Sequence, residues 1–121
     1  MRKVKYAIGN DLVFVPGFSE SLTDLFIGKV YTEAEIAYCK SFDQSLLRYA
    51  STWAAKEAVY KALKQLDPGP LSWKKIEILR DKIAGRPRVL LHHQVPGAEH
   101  LSLSISHDGD YVWAVVIVET V

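Results

Sequence analysis

The sequence has one cysteine, Cys39, in 121 residues. No disulfide can therefore close within the chain, and no Cys-x-x-Cys metal or redox site is present, so the expected home is a reducing cytoplasm. It also lacks an excess of charge of one sign. Fifteen Lys plus Arg against fourteen Asp plus Glu leave a formal charge of +1, too little for the broad basic surface that nonspecific nucleic-acid binding needs. A long apolar run is missing too. Met1-Arg2-Lys3-Val4-Lys5 is basic, but the apolar stretch after it is short and broken at Asn10-Asp11, so it reads as neither a signal sequence nor a membrane span. No internal repeat or low-complexity tract appears. What remains, 49% hydrophobic and 24% charged residues, is the composition of one ordinary globular domain, expected to span residues 1–121.

Tyr6-Ala7-Ile8 and Leu12-Val13-Phe14-Val15 read as a strand interrupted at Gly9-Asn10-Asp11 and ended by Pro16-Gly17. Ser19 to Ile27 has a weak helical spacing. Thr32-Glu33-Ala34-Glu35 is a capping-box pattern that predicts a helix to about Lys40. The longest predicted helix runs from about Gln44 to Leu66, a segment free of Gly and Pro and stopped by Asp67-Pro68-Gly69-Pro70. Three strands are expected after it: Ile76 to Arg80, Pro87 to His92, and Leu101 to Ser106. The last alternates strictly, with Leu101, Leu103 and Ile105 on one face and Ser102, Ser104 and Ser106 on the other. Asp108-Gly109 predicts a tight turn into a central strand, Tyr111 to Glu119. The predicted architecture is α+β, one long helix packed on a small, mainly antiparallel sheet.

Glu57 and Lys61 stand one turn apart on the long helix. Taken alone they read as an exposed ion pair worth a few tenths of a kcal/mol. Their neighbours shift the balance, because Ala54, Ala55, Ala58 and Ala62 permit close approach by another element or a ligand and Trp53 is a large anchor. Asp11 stands in an apolar strand, where a carboxylate is costly unless compensated; it is either a turn-forming residue or a functional one. If that strand lies beside the long helix, Asp11 and Glu57 are placed to share a hard cation such as magnesium, which takes phosphate oxygens and water as further ligands. His107, at the end of the alternating strand, is either a surface residue or a group that contacts a phosphate or moves a proton. His92, His93 and His100 read as structural or solvated. Gly85-Arg86-Pro87-Arg88 puts two guanidiniums on a stiff turn, which suits an anionic ligand or an exposed hairpin tip.

In order along the chain, Ile8-Gly9-Asn10-Asp11, Trp53-Ala54-Ala55-Lys56-Glu57-Ala58-Val59-Tyr60-Lys61-Ala62-Leu63, Gly85-Arg86-Pro87 and Ser104-Ile105-Ser106-His107 resemble the holo-acyl-carrier-protein synthase group of 4′-phosphopantetheinyl transferases. The resemblance implies magnesium-dependent transfer of phosphopantetheine from coenzyme A to a serine of an apo acyl carrier protein, with release of adenosine 3′,5′-bisphosphate. It also implies a homotrimer with active sites between subunits. By position it implies Asp11 and Glu57 as metal ligands, and Glu57, Lys61 and His107 as catalytic residues. Coenzyme contacts are implied for Asp11, Arg48, Trp53, Lys61, Gly85, Arg86, Pro87, Ser106 and His107. The serine proton would pass to Glu57 directly or by way of a metal-bound water.

Three departures from the family pattern bear on function. Residues 12–29 hold Glu20, Asp24 and a single base, Lys29, where the family usually carries arginines that meet an acidic carrier; such a change acts mainly on encounter rate and partner choice. Ser51-Thr52-Trp53 replaces a typical Gly-Arg-Phe, and Arg48, one turn earlier, is the expected substitute. Asp108 stands where a hydroxyl residue is common. These departures keep open a noncatalytic relative that binds coenzyme A. Paired carboxylates plus a lysine also suit a magnesium nuclease, which the near-neutral charge disfavours.

Overall fold

The computed structural model describes residues 5–80 and 86–120. Strand β1 (Tyr6–Phe14) leads into four helices, α1 (Val15–Ser21), α2 (Asp24–Val30), α3 (Glu33–Lys40) and α4 (Ser45–Leu63). A short 3-10 turn, Trp73–Lys75, then precedes strands β2 (Ile76–Arg80), β3 (Pro87–Leu91), β4 (His100–Asp108) and β5 (Tyr111–Glu119). Strands β1, β5 and β4 form an antiparallel sheet in that order, and β2 with β3 forms a separate antiparallel hairpin. The α+β expectation holds, with β5 central and the long helix on one face of the sheet.

Directly opposed residues share a face of an antiparallel sheet. The register Asp11↔Ala114 and Ala114↔Ile105 therefore assigns Ala7, Gly9, Asp11 and Val13 to one face with Val112, Ala114, Val116 and Val118. That face is buried under α4, whose Ala54, Ala55, Ala58 and Ala62 are fully buried. Small side chains on both partners let the backbones come close. A Cβ added at Gly9 would stand 1.8 Å from the Ala58 carbonyl oxygen, so only glycine fits there.

The other face carries Tyr6, Ile8, Leu12, Phe14, Tyr111, Trp113 and Ile117, all exposed, with Leu12 at 61% and Trp113 at 50%. No element among the described residues covers it.

On the far side of α4 a buried polar network ties three elements together. The Lys56 ammonium, fully buried, donates to Glu35 Oε1 at 2.7 Å and to the Ile76 carbonyl at 2.5 Å. Glu35 also accepts from the Ile78 amide at 2.7 Å and, through the capping box, from the Thr32 amide at 2.9 Å. The Thr32 hydroxyl donates in turn to Glu77, which lies 3.0 Å from His92 Nε2. Burial pushes the Lys56 ammonium down from its ordinary value, and Glu35 opposes that shift.

Four local expectations are corrected. Strand β1 is not interrupted at Gly9-Asn10-Asp11, because Gly9 meets the helix and Asp11 finds a partner on it. The strand ends before Pro16-Gly17 as read, and those two residues lie inside α1, where a proline in the first turn has no intrahelical bond to lose; the single weak helix from Ser19 to Ile27 is in fact α1 and α2, the latter capped by the Thr23 hydroxyl accepting from the Phe26 amide at 3.1 Å. The hairpin loop is Gly109-Asp110 rather than Asp108-Gly109, since Asp108 pairs with Tyr111 and Gly109 takes φ +57°. The long helix is also shorter than expected, ending at Leu63.

Gly9→Ala must push β1 off α4 and should lower unfolding free energy by about 3 kcal/mol in urea titrations. Gly28→Ala, on α2 with open space at its Cβ position, should instead stabilise by about 0.5–1 kcal/mol.

Candidate active site

Trp53, Glu57 and Lys61 follow one another at four-residue spacing, which makes a single stripe along α4. The close approach at Gly9 brings β1 under that stripe, and Asp11, two residues on, points from the same sheet face. Lys61 Nζ lies 2.9 Å from Asp11 Oδ1 and donates to the Asn10 carbonyl at 3.1 Å. The surface pair that Glu57 and Lys61 suggest when taken alone is thus replaced by a pair between helix and strand. Gln65, one further turn along, donates to the Ile8 carbonyl at 2.8 Å, so the free edge of β1 is held by the helix.

Glu57 lies beside Asp11 with no cation of its own at bonding distance among the described residues. Burial first, and then the charge and hydrogen bond of Asp11, push the Glu57 carboxyl up to about 7; Lys61 and a hydrogen bond from Trp53 act in the opposite direction. Two carboxyl groups thus crowd one another at a partly buried place. The donor set is oxygen only, and no group of three or more His, Cys, Asp or Glu is gathered for a metal among the described residues. A pair of carboxylates fits magnesium, a hard ion that keeps several ligand positions for water and phosphate oxygens, and does not fit a closed zinc site.

The remaining predicted residues lie elsewhere. His107 is exposed near the end of β4, on the same sheet face as Asp11 but two strands away, about 10 Å across the sheet. Arg48, half-buried on α4, stacks its guanidinium 4.2 Å from the Phe42 ring centroid. Ser106 opposes Trp113 on the exposed face, away from α4. Arg86 and Pro87 line a groove of about 410 Å³ between β3 and β4, with Leu101 and Leu103. Gly85 lies outside the described residues.

One residue was not anticipated. Arg80 faces a pocket of about 240 Å³ together with Arg48, Ser51, Pro87 and His107. The alternation Ile76, Ile78, Arg80 signals it, since the two isoleucines are buried and the arginine follows them on the same face.

The sequence pattern of the 4′-phosphopantetheinyl transferase superfamily matches residues 7–116. The chain belongs to that superfamily. It is 37% identical over 120 residues to a holo-[acyl-carrier-protein] synthase of Koribacter versatilis, covering 92% of this chain and 95% of that protein. It is 42% identical over 103 residues to part of a fatty acid synthase subunit alpha of Lachancea kluyveri, covering 79% of this chain and 5% of that protein. Among solved structures, the Chronobacterium ammoniagenes ACPS–CoA complex superposes with a TM-score of 0.84 at 31% identity, over 98% of this chain and 99% of that one. Family and fold therefore agree with the motifs, and the superfamily block around Ala54-Ala55-Lys56-Glu57-Ala58 is the one that packs on β1 here.

Replacing Asp11 by Asn removes the second of the causes that raise Glu57. In protein without metal, the Glu57 carboxyl followed by carbon-13 NMR should titrate at lower pH in Asp11→Asn than in the parent, yet still above ordinary glutamates because burial remains. An unchanged titration would mean that the two carboxyls do not meet.

Proposed function

We propose that this chain is a magnesium-dependent holo-acyl-carrier-protein synthase. It moves 4′-phosphopantetheine from coenzyme A to a serine hydroxyl of an apo acyl carrier protein and releases adenosine 3′,5′-bisphosphate. The observation that carries this reading is the convergence of Asp11, Glu57 and Lys61 at the seam of β1 and α4, in a chain whose relatives are named for this activity. The fatty acid synthase relative favours a fatty-acid carrier as the acceptor, and buried Cys39 with its free thiol is compatible with the cytoplasm.

In the transfer, the serine oxygen forms a bond to the phosphorus that bears pantetheine, and the bond from that phosphorus to the bridging oxygen breaks. The electron pair leaves with adenosine 3′,5′-bisphosphate. Asp11 and Glu57 would hold the magnesium ion, which neutralises charge on the departing phosphate when bound. Lys61, fixed by Asp11 and the Asn10 carbonyl, stands ready as a compact positive charge for the developing negative charge. The serine proton goes to Glu57, the carboxyl of the pair to which Lys61 does not bond.

Two features support a homotrimer. The apolar outer face of the sheet is uncovered in one chain, and a patch of this kind marks an interaction surface. His107 and Arg48 also do not join the carboxyl pair within a single chain, as residues of a site completed by another copy would not.

Intact-mass spectrometry of apo acyl carrier protein incubated with this protein, coenzyme A and magnesium should show one added phosphopantetheine, lost on chelation. Glu57→Gln and Lys61→Ala should each slow the addition by about 100-fold or more while the fold persists. No addition to any carrier would overturn the transferase reading. In sedimentation, the parent should run at three times the chain mass, and Trp113→Arg, which puts a charge on the outer face, should run as a single chain.

A further inference from the structure

Of the two carboxyls at the seam, Asp11 has the ion pair with Lys61, and Glu57 has no bonded cation among the described residues. The transferase reading nevertheless asks Glu57 both to hold magnesium and to take the serine proton. A glutamate side chain turns about three torsions, and a freely turning one presents its oxygens in a useful direction only part of the time. The donor that meets it is Trp53, one turn back on α4, whose indole N–H bonds to the Glu57 carboxyl. Helical side chains lean toward the N-terminus of their helix, so Glu57 lies back over the turn that carries Trp53. Packing keeps the indole from swinging away. Its ring stands edge-on to Phe26 of α2 at 5.1 Å between centroids and to Trp73 of the 3-10 turn at 4.8 Å. Trp73 is backed in turn by Tyr60 at 4.8 Å. Rings from two other elements thus fix a hydrogen-bond donor beside the carboxyl that lacks a cation.

We infer that Trp53 is a positioning residue for the transfer: its indole N–H ties one oxygen of Glu57 in place and leaves the other for magnesium and the serine proton. The inference rests on the transferase reading. A carboxylate that binds a metal is ordinarily held by an outer hydrogen bond, and losing such a bond costs about 10–100-fold in metal affinity or activity. Phenylalanine, which related sequences typically have at this position, keeps a ring between Phe26 and Trp73 but offers no N–H. The packing role and the donor role of Trp53 therefore come apart in one substitution. A coenzyme contact at Trp53, which the family resemblance implies, acts differently. A group that touches the coenzyme changes coenzyme binding, whereas one that acts through Glu57 changes the magnesium requirement.

Two measurements test the role. The first is the proton NMR signal of the Trp53 indole N–H in metal-free protein, assigned by its contacts with the Phe26 ring. It should lie downfield of its position in Glu57→Ala, a change that suits a helix, while the Trp73 and Trp113 indoles move little. The second is the magnesium dependence of transfer. Trp53→Phe should raise the magnesium concentration for half-maximal rate by about 10-fold, a larger change than in the KM for coenzyme A at saturating magnesium. An indole signal indifferent to Glu57→Ala would overturn the inference, and so would a raised KM for coenzyme A with the magnesium requirement unaltered. Either result leaves the transferase reading intact. No transfer to any carrier would instead overturn that reading, and the role of Trp53 in it. The indole measurement needs no carrier, no coenzyme and no Trp53 variant, so it decides the hydrogen bond even if Trp53→Phe does not fold.

Discussion

The contact between Gly9 and the Ala58 backbone is the constraint on which the site depends. A carboxylate on a strand and another on a helix meet only when the two backbones lie closer than ordinary side chains allow. Here glycine on β1 and four buried alanines on α4 supply that closeness, and Asp11 and Glu57 face each other as a result. The same approach lets Lys61 and Gln65 reach carbonyls on the outer edge of β1. An edge strand with unpaired carbonyls invites pairing with foreign strands. In this chain Lys61, bonded to Asp11, also occupies part of that edge.

The opposite side of α4 is fixed by charge rather than by small residues. A fully buried lysine is tolerable only when its hydrogen bonds are met by well-placed acceptors, and Lys56 has Glu35 and the Ile76 carbonyl. Lys56 immediately precedes Glu57, so the pair that anchors α3 and β2 to the helix also sets the rotation of α4 about its axis. Rotation decides which residue of the stripe faces β1. The ion pair thus acts on the site through geometry, with no contact to the carboxylates themselves.

Local signals carried much of this arrangement. The capping box at Thr32 and the alternation of Leu101, Leu103 and Ile105 rest on neighbours a few residues apart, and both are present as read. The alanine spacing on α4 correctly implied a close partner, though only the strand register identifies that partner as Gly9. Misreadings arose where a distant residue decided the outcome. Asp11 looked like a strand breaker because its partner, Lys61, lies fifty residues away. The hairpin loop slipped by one residue because Asp108-Gly109 is a good local turn, whereas pairing along the whole of β4 and β5 demands Gly109-Asp110. Lys56 was visible in the motif, but nothing local revealed that it is buried.

The near-zero net charge takes on a different meaning once the charges are located. Balanced composition excludes a broad basic surface, yet it says nothing of separation on a smaller scale. In this fold the acids at the β1–α4 seam exceed the single lysine bonded there, while the pocket on the other side of α4 gathers two arginines and a histidine with no acid among the described residues. Each imbalance is local and partly shielded from water, where charges are screened least.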